Sequence, residues 1–374
     1  GKCPAAGRRA AELRRRRHVE HSVNIKYVAE RAKVSISTVS RVLNNSANVS
    51  DALKERVYRA VEETKFRVNP IASSLKSARR NQVAIVIPSL RQILYTDIIK
   101  GFSDFCYQRQ VTPVILETSG DPVKERRLIQ ELEKQWVDGI VYIPSHSAKT
   151  PEAEAFFASL SQLKKQDNAI PVVLAECDGA GLELDCVRLD YENAFYQMAY
   201  HLLEIGRRHM AYLSGSKDSP LHEMCLSAVN RALGDFGCQL EENLMEYAGY
   251  TILTGYHAME RVLARSDTVD SVLCANDQVA AGALFACKEQ GVYDQRRISF
   301  VGFGGVSMSI ITSPSITTVV APRYELGWEA ASVLFQRLSD DSQPPREVVL
   351  QSHLAIREST LRTATKRLDT MFAE

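Results

Sequence analysis

The chain lacks the features that define membrane and secreted proteins. Its 374 residues contain no apolar run of about 18 residues, which excludes a conventional transmembrane helix. The basic N-terminus is not followed by an apolar segment, so we expect no secretory signal. Eight cysteines are scattered without a CxxC pair, and this spacing predicts reduced, mostly buried thiols in a cytoplasmic protein.

Catalytic signatures are scarce as well. No Ser, His and Asp residues show nucleophile-elbow spacing, and the histidines show no metal-ligand spacing. The stretch 300–305, Phe-Val-Gly-Phe-Gly-Gly, faintly resembles a dinucleotide fingerprint, but the third glycine would fall at Ser307, after a late strand. We therefore expect no enzyme, cofactor or metal, and a Rossmann-like enzyme stays a remote alternative.

What is present is an uneven distribution of charge. Residues 1–80 carry 19 Lys and Arg against 7 Asp and Glu, a formal charge of +12. The other 294 residues carry 27 against 38, a formal charge of −11. A basic head on an acidic body indicates that the head meets a polyanion, with a merely solvated basic face as the alternative. We expect residues 1–23 to form a disordered basic tail. The alternative is that this tail has a function and makes extra contacts with phosphates.

Residues 24–66 predict three short helices. The first follows Asn24 as N-cap, the second follows Ser35, and the third follows Ser50. Their apolar positions recur at helical spacing, at Ile25, Val28, Ala29 and Ala32, then at Val39, Val42 and Leu43, then at Leu53, Val57, Ala60, Val61 and Thr64. Three such helices bury one small core, and a three-residue turn between the first two is typical of a helix-turn-helix domain.

The second helix has a polar face suited to a DNA groove. With Ser37 at 0° on a helical wheel, Arg41 lies at about 40° and Asn44 at about −20°, opposite the apolar stripe. Arg can contact guanine O6 and N7 together, Ser and Asn reach bases or phosphates, and Ile36 at the helix start suits a thymine methyl group. A surface helix with random polar residues is the alternative.

From residue 82 onward the pattern changes to an α/β body. Short β-branched runs alternate with helical segments in two series, at 83–87, 114–116, 139–143 and 172–175, then at 210–213, 271–274, 298–301 and 317–320. This alternation predicts two doubly wound parallel-sheet subdomains with a cleft between them. We assign residues 82–188 and 320–346 to the N-subdomain, and residues 189–319 and 347–360 to the C-subdomain, of a body spanning 82–374. Residues 67–81 form a linker long enough for about two turns of hinge helix.

Several strings resemble the lactose/galactose-repressor (LacI/GalR) family of transcriptional regulators. The head string is residues 25–44, IKYVAERAKVSISTVSRVLN. Further matching strings are NVS at 48–50, NPIASSL at 69–75, VDG at 137–139, AND at 275–277 and PSITT at 314–318. The resemblance covers about residues 24–358 and implies a helix-turn-helix head on a periplasmic-binding-protein-like body.

The resemblance also implies roles at the DNA. Ile36 and Ser37 match the base-reading pair, and Arg41 matches an arginine that contacts bases or phosphates. Other positions match phosphate and flanking contacts, namely Ser35, Thr38, Ser40, Asn44 and Asn48. Leu75 matches the hinge leucine that enters the minor groove of a near-palindromic operator, with Ala72 beside it. One departure is Lys33, where the family usually has Gly.

For the cleft, the resemblance implies a small-molecule effector, commonly a sugar or nucleobase. Asp190, Asn276, Leu90 and Tyr95 match effector-binding or cleft positions. Two departures argue against the usual sugar chemistry, because Cys225 stands at a family Arg and Gly304 at a family Asp. Two charge-assisted hydrogen bonds are thereby lost, each worth about 1.5–3 kcal/mol. This leaves an unusual small molecule, a protein partner or no effector.

The sequence thus predicts a regulator, expected to be a repressor and a homodimer, that binds double-stranded operator DNA in the cytoplasm at the bacterial nucleoid. The chain after Arg357 shows no sustained heptads of the kind that build tetramers. A solute-binding protein shares such a body, but it would need a signal peptide and would lack the head. We expect no membrane partner.

Overall fold

A computed structural model describes residues 24–43, 49–66, 81–135, 137–145, 151–163, 170–177, 183–219 and 221–360. The chain divides into two compact units between residues 79 and 80. The first unit contains the head, and the second contains the body.

The head consists of three helices, α1 (Ile25–Ala32), α2 (Ile36–Leu43) and α3 (Asp51–Thr64). Asn24 caps α1, since its side-chain oxygen accepts a hydrogen bond from the Tyr27 N–H at 3.1 Å. Lys33 ends α1 in the left-handed conformation. The three helices bury one core, with Val28, Val39 and Val57 at its centre. The apolar stripes expected from the sequence therefore face one another, and α1 and α2 form the predicted helix-turn-helix pair.

The body contains twelve strands and nine further α-helices among its described residues. The strands are β1 (Gln82–Ile87), β2 (Thr112–Glu117), β3 (Gly139–Tyr142), β4 (Val172–Ala175), β5 (Asp185–Leu189), β6 (Met210–Ser214), β7 (Met245–Tyr247), β8 (Ser271–Cys274), β9 (Ser299–Gly304), β10 (Thr317–Val320), β11 (Glu347–Leu350) and β12 (His353–Ala355). The helices are α4 (Leu94–Gln108), α5 (Pro122–Gln135), α6 (Pro151–Leu163), α7 (Tyr191–Glu204), α8 (His222–Asp235), α9 (Ile252–Arg265), α10 (Asp277–Glu289), α11 (Ser307–Ile311) and α12 (Arg323–Ser339).

These strands form two six-stranded sheets, which confirms the predicted pair of subdomains. The first has the order β11-β5-β4-β3-β1-β2, and the second has the order β12-β10-β9-β8-β6-β7. All pairs are parallel except β10 with β12. The buried central strands are mostly apolar on both faces, as expected for sheets covered by helices on both sides.

The assignment of residues 347–350 to the C-subdomain is wrong. They form β11, which pairs in parallel with β5 at the edge of the first sheet. The correction follows from the chain path, which crosses between the sheets three times. It crosses after β5, after β10, and between β11 and β12. The third crossing is only two residues long, too short to show in the apolar pattern.

Buried ionic and thiol groups complete the body. The guanidinium of Arg337 on α12 donates two hydrogen bonds to the carboxylate of Asp185 on β5, at 2.5 and 2.8 Å. Six of the seven cysteines in the described ranges are buried as free thiols, as the sequence predicts. Within the part of the chain that the structure describes, each helix is too short or too polar to cross a bilayer.

Candidate functional site

The outer face of α2 is polar and open to solvent. Val39 and Val42 turn inward and are buried against α1 and α3. Ser37 and Arg41 are exposed, and Ile36 at the helix start is 40% exposed. The inward packing of the two valines therefore fixes which side of α2 is presented outward, as the helical wheel predicts.

Hydroxyl groups cluster at the N-terminus of α2. The Ser35 Oγ atom lies 2.7 Å from the Ser37 hydroxyl and 2.8 Å from the Thr38 hydroxyl, and it accepts a bond from the Thr38 N–H at 3.1 Å. Ser35 thus caps the helix, and Ser40 lies half-buried one turn later. A helix N-terminus with free N–H groups favours a phosphate oxygen. Four further residues assigned to DNA contact lie outside the described residues, namely Asn44, Asn48, Ala72 and Leu75.

The turn before α2 adopts the conformation that usually requires glycine. Lys33 has φ 52° and ψ 48°, in the left-handed region. Arg56 on α3 supports this turn, because its guanidinium donates to the carbonyl oxygens of Ala32 at 2.7 Å and of Lys33 at 3.1 Å. The departure from glycine at position 33 therefore retains the turn and adds a positive charge next to the polar face of α2.

The body contains a cavity of about 220 Å³ at the carboxyl ends of strands from both sheets. Parallel α/β sheets bind ligands at this edge. Of the four effector residues expected from the sequence, Tyr95 and Asn276 line the cavity, whereas Leu90 and Asp190 do not. Leu90 is 56% exposed.

Two of these four residues, Asn276 and Asp190, cap helices. Asn276 caps α10 by accepting from the Val279 N–H at 2.8 Å, and its amide donates to the Tyr250 carbonyl at 3.1 Å. Asp190 caps α7 by accepting from the Asn193 N–H at 3.0 Å, and it also accepts from the Gln351 side chain. Their effector roles stay predictions.

Glu176, which the sequence reading did not single out, lies in the wall of the cavity. It follows β4 directly, has φ 56°, and is only 6% exposed. Its Oε2 atom accepts a hydrogen bond from the Tyr191 hydroxyl, whereas its Oε1 atom has no hydrogen-bond partner among the described residues. Burial raises the pKa of this carboxyl, and the Tyr191 hydroxyl and the Arg323 charge oppose that shift.

A buried arginine also lines the cavity. Arg323, at the start of α12, is 5% exposed, and its guanidinium lies over the Phe303 ring at 5.8 Å from the ring centre. It donates to the carbonyl oxygen of Gly304. A Cβ atom at Gly304 would lie 2.5 Å from the guanidinium, so the missing side chain at position 304 is the space that Arg323 fills.

The second departure, Cys225, is a buried thiol in the same wall, and burial raises its pKa. The cavity wall thus contains Cys225, Arg323 and Glu176, and the match of positions 225 and 304 to a family arginine and aspartate stays a prediction. The sequence contained a signal for both charged residues of the cavity. Glu176 and Arg323 each follow an apolar strand by a few residues, and ligands bind at this end of the strands in a parallel sheet. In the described ranges, no cluster of His, Cys, Asp and Glu could hold a metal ion.

Both the head and the body match known protein families. Residues 24–69 match the family described as "Bacterial regulatory proteins, lacI family", and residues 80–358 match "Periplasmic binding proteins and sugar binding domain of LacI family". The HTH-type transcriptional regulator RegA of Clostridium acetobutylicum is 30% identical over 342 residues, which is 90% of this chain and 99% of RegA. Catabolite control protein A of Priestia megaterium is 26% identical over 340 residues, 91% of this chain and 99% of that protein.

Solved structures show the same fold. A lac repressor dimer bound to operator and the anti-inducer ONPF superimposes with a TM-score of 0.81 at 22% identity, covering 91% of this chain and 99% of that chain. A complex of the transcriptional regulator CelR with cellobiose superimposes with a TM-score of 0.67 at 26% identity, covering 90% and 99%.

A helix-turn-helix head joined to a two-subdomain binding body defines a DNA-binding transcriptional regulator. The relatives named above are likewise regulators and not enzymes. The chain belongs to the LacI family.

Proposed function

We propose that this regulator is a repressor that binds a near-palindromic operator as a homodimer and responds to a small molecule in the cleft of its body. The observation that carries the proposal is the outward face of α2, where Ile36, Ser37 and Arg41 are exposed above the buried Val39 and Val42. A helix placed in this way brings a guanidinium, a hydroxyl and an apolar group to base edges in the major groove.

Phosphate contacts would fix the register of the head on the duplex. Ser35, Thr38 and Ser40 supply hydroxyls near the start of α2, and Lys33 adds positive charge beside it. Asn44 and Asn48 would extend these contacts. In the linker, Leu75 would enter the minor groove at the operator centre beside Ala72, and the resulting kink costs a few kcal/mol for unstacking one base step.

Two heads on one duplex require two copies of the chain, and the dimeric repressor-operator structure supports this assembly. A hinge helix of about two turns is unstable alone, so it would order only on DNA beside its partner hinge. Any ligand that favours one arrangement of the two subdomains would then shift operator occupancy. Such a regulator would act in the cytoplasm, on the bacterial nucleoid.

The cleft supports the effector half of the proposal. Its wall contains residues of both subdomains, among them Tyr95 and Glu176 from the first and Asn276 from the second. A ligand bound there contacts both subdomains and stabilises the arrangement in which both contacts form. The cellobiose complex of a relative supports a small-molecule site in this fold.

The DNA half is tested by selecting bound fragments from a random duplex pool with the full-length protein. We expect a near-palindromic consensus bound in the nanomolar range with steep salt dependence. Arg41→Ala should lose specific binding by about 10-fold or more, since one bidentate base contact contributes about 1–3 kcal/mol. Arg59→Ala is the matched control, because Arg59 is an exposed arginine on α3 that pairs with Glu55.

The outcomes separate the possible functions. If all DNA sequences were bound equally weakly and this binding disappeared with added salt, the operator assignment would be refuted. If Arg41→Ala selected the same consensus as the unmodified protein, the role of the Arg41 side chain would be refuted. Repeating the binding assay with a metabolite library tests the effector. If no metabolite changes operator affinity, the alternative of a protein partner or no effector gains support.

A further inference from the structure

The cleft holds two buried, oppositely charged groups that are not paired with each other. Glu176 and Arg323 both line the cavity and are each at least nine-tenths buried. No ion pair joins them within the described ranges, where the buried pair of the body is Arg337 with Asp185. An ionised group that is buried without an ion pair costs several kcal/mol, and a ligand that carries the opposite charge would lower this cost for each group.

On the acidic side, one carboxylate oxygen atom lacks a hydrogen-bond partner, and it is buried, so a ligand reaches it only when the Glu176 side chain turns toward the cavity. The Tyr191 hydroxyl occupies Oε2 of Glu176, and Oε1 has no hydrogen-bond partner among the described residues. The left-handed backbone at Glu176 is uncommon for a residue other than glycine, and such strain concentrates at ligand sites. Oε1 is a hydrogen-bond acceptor for one donor, and a cationic donor would form the stronger, charge-assisted bond.

On the basic side, most of the guanidinium is available. Of the five N–H groups of Arg323, one donates to Gly304, and the rest make no hydrogen bond to a described residue. The Asp277 carboxylate in the same wall accepts hydrogen bonds from the Thr318 hydroxyl and from the Val306 N–H. It makes no ion pair with Arg323 in the described ranges, although the Arg323 charge opposes the rise that burial causes in the Asp277 pKa. A planar guanidinium with free N–H groups matches a ligand carboxylate.

An aromatic wall connects the two charges. Tyr191, whose hydroxyl contacts Glu176, packs on Phe303 with ring centres 5.2 Å apart, and Arg323 lies over Phe303. Phe195 packs on Phe303 as well, at 5.6 Å. The wall gives an apolar or planar surface with a carboxylate at one end and a guanidinium at the other. A cavity of 220 Å³ is smaller than the pockets of about 300 Å³ and more that hold drug-sized molecules.

We propose that the cleft binds a small zwitterion of the amino-acid class, with its ammonium group on Glu176 Oε1, its carboxylate on Arg323, and its side chain against the wall of Tyr191, Phe195 and Phe303. A neutral sugar would supply hydroxyls to both groups but would bring no counter-charge to either of them. An amine or a carboxylic acid alone would compensate only one. The inference rests on the proposed function, since it names the ligand class of the same cleft.

The test is isothermal titration calorimetry of the full-length protein with the twenty common L-amino acids, D-glucose and D-ribose. For the amino acid that binds most tightly, the amine without the carboxylate and the acid without the amino group are titrated too. We expect each one-charge analogue to bind at least 10-fold more weakly than the parent. A sugar that binds more tightly than every amino acid, equal binding of the analogues, or no binding at all would overturn the proposal.

Variants assign the two charges. Glu176→Gln should weaken binding of the amino acid at least 10-fold and change binding of the acid analogue by no more than about twofold. Arg323→Gln should weaken binding of the amino acid at least 10-fold and change binding of the amine analogue by no more than about twofold. Arg323→Lys retains the charge and should restore part of the affinity. Glu241→Gln, which changes an exposed carboxylate paired with His209, is the control and should change nothing. Thermal unfolding without ligand establishes that each variant is folded, and equal losses for both analogues in either variant would refute the assignment.

Measuring operator affinity with and without each ligand distinguishes a failure of this proposal from a failure of the proposed function. An amino acid that binds the cleft but leaves operator affinity unchanged would support the zwitterion site and refute regulation through it. A sugar that binds and changes operator affinity, while no amino acid does, would leave regulation standing and overturn the zwitterion.

Discussion

Replacing Gly304 by Ala tests whether the absent side chain at this position makes room for Arg323. The residue has φ 129°, and a Cβ atom would approach the guanidinium to 2.5 Å. Forcing an alanine into this backbone conformation costs about 1–3 kcal/mol. Displacing the guanidinium also removes its hydrogen bond to the Gly304 carbonyl, a charged bond worth about 1.5–3 kcal/mol. Together these effects should lower the free energy of unfolding by about 2.5–6 kcal/mol.

The measurement is urea unfolding at one protein concentration, in a double-mutant cycle with Arg323→Ala. Without the guanidinium, only the backbone term remains, so Gly304→Ala should then cost only about 1–3 kcal/mol. Gly206→Ala is the control, since Gly206 has φ 89° with nothing within 4 Å of an added Cβ. It should cost about 1–2 kcal/mol in either background. Equal losses from Gly304→Ala with and without Arg323 would refute the coupling.

Three further predictions concern other parts of the chain. Lys33→Gly should stabilise the head by about 1 kcal/mol, because glycine enters the left-handed region without strain, and differential scanning calorimetry of the full chain would detect it. The same variant should bind operator more weakly at low salt, owing to the lost charge, and an unchanged affinity would contradict a phosphate contact. Asp185→Asn should destabilise the body by about 3–5 kcal/mol, because it removes the buried counter-charge of Arg337 and leaves only the longer ion pair with the partly exposed Asp341. A loss under 1 kcal/mol in urea unfolding would contradict this.

The head was predictable because its determinants are local. The cap at Asn24, the inward positions of Val39 and Val42, and the turn before α2 all follow from residues within one or two helical turns. The central strands were predictable for a similar reason, since strands covered on both faces consist of uninterrupted apolar residues. Edge strands such as β7 are short and partly exposed, and their pattern does not distinguish them from loops.

The features that could not be predicted depend on contacts between distant residues. The pairing of β11 with β5 joins segments about 160 residues apart and places residues 347–350 in the first sheet. The glycine at 304 looked like a lost ligand contact, and its relation to Arg323 becomes visible only when β9 and the start of α12 are adjacent. The cap roles of Asp190 and Asn276 also depend on the helices that follow them, which a match of single positions does not reveal.

Two of the three crossings between the sheets lie next to residues that line the cleft. Tyr191 follows the first crossing directly, and Arg323 follows the second. Rotation of one subdomain against the other would bend the chain at these crossings, so the aromatic and cationic side chains lie near the pivot. Near a pivot, a shift of a fraction of an ångström produces a much larger displacement at the far ends of the sheets. A small ligand bound at this point would therefore shift the far ends of both subdomains through a small local movement.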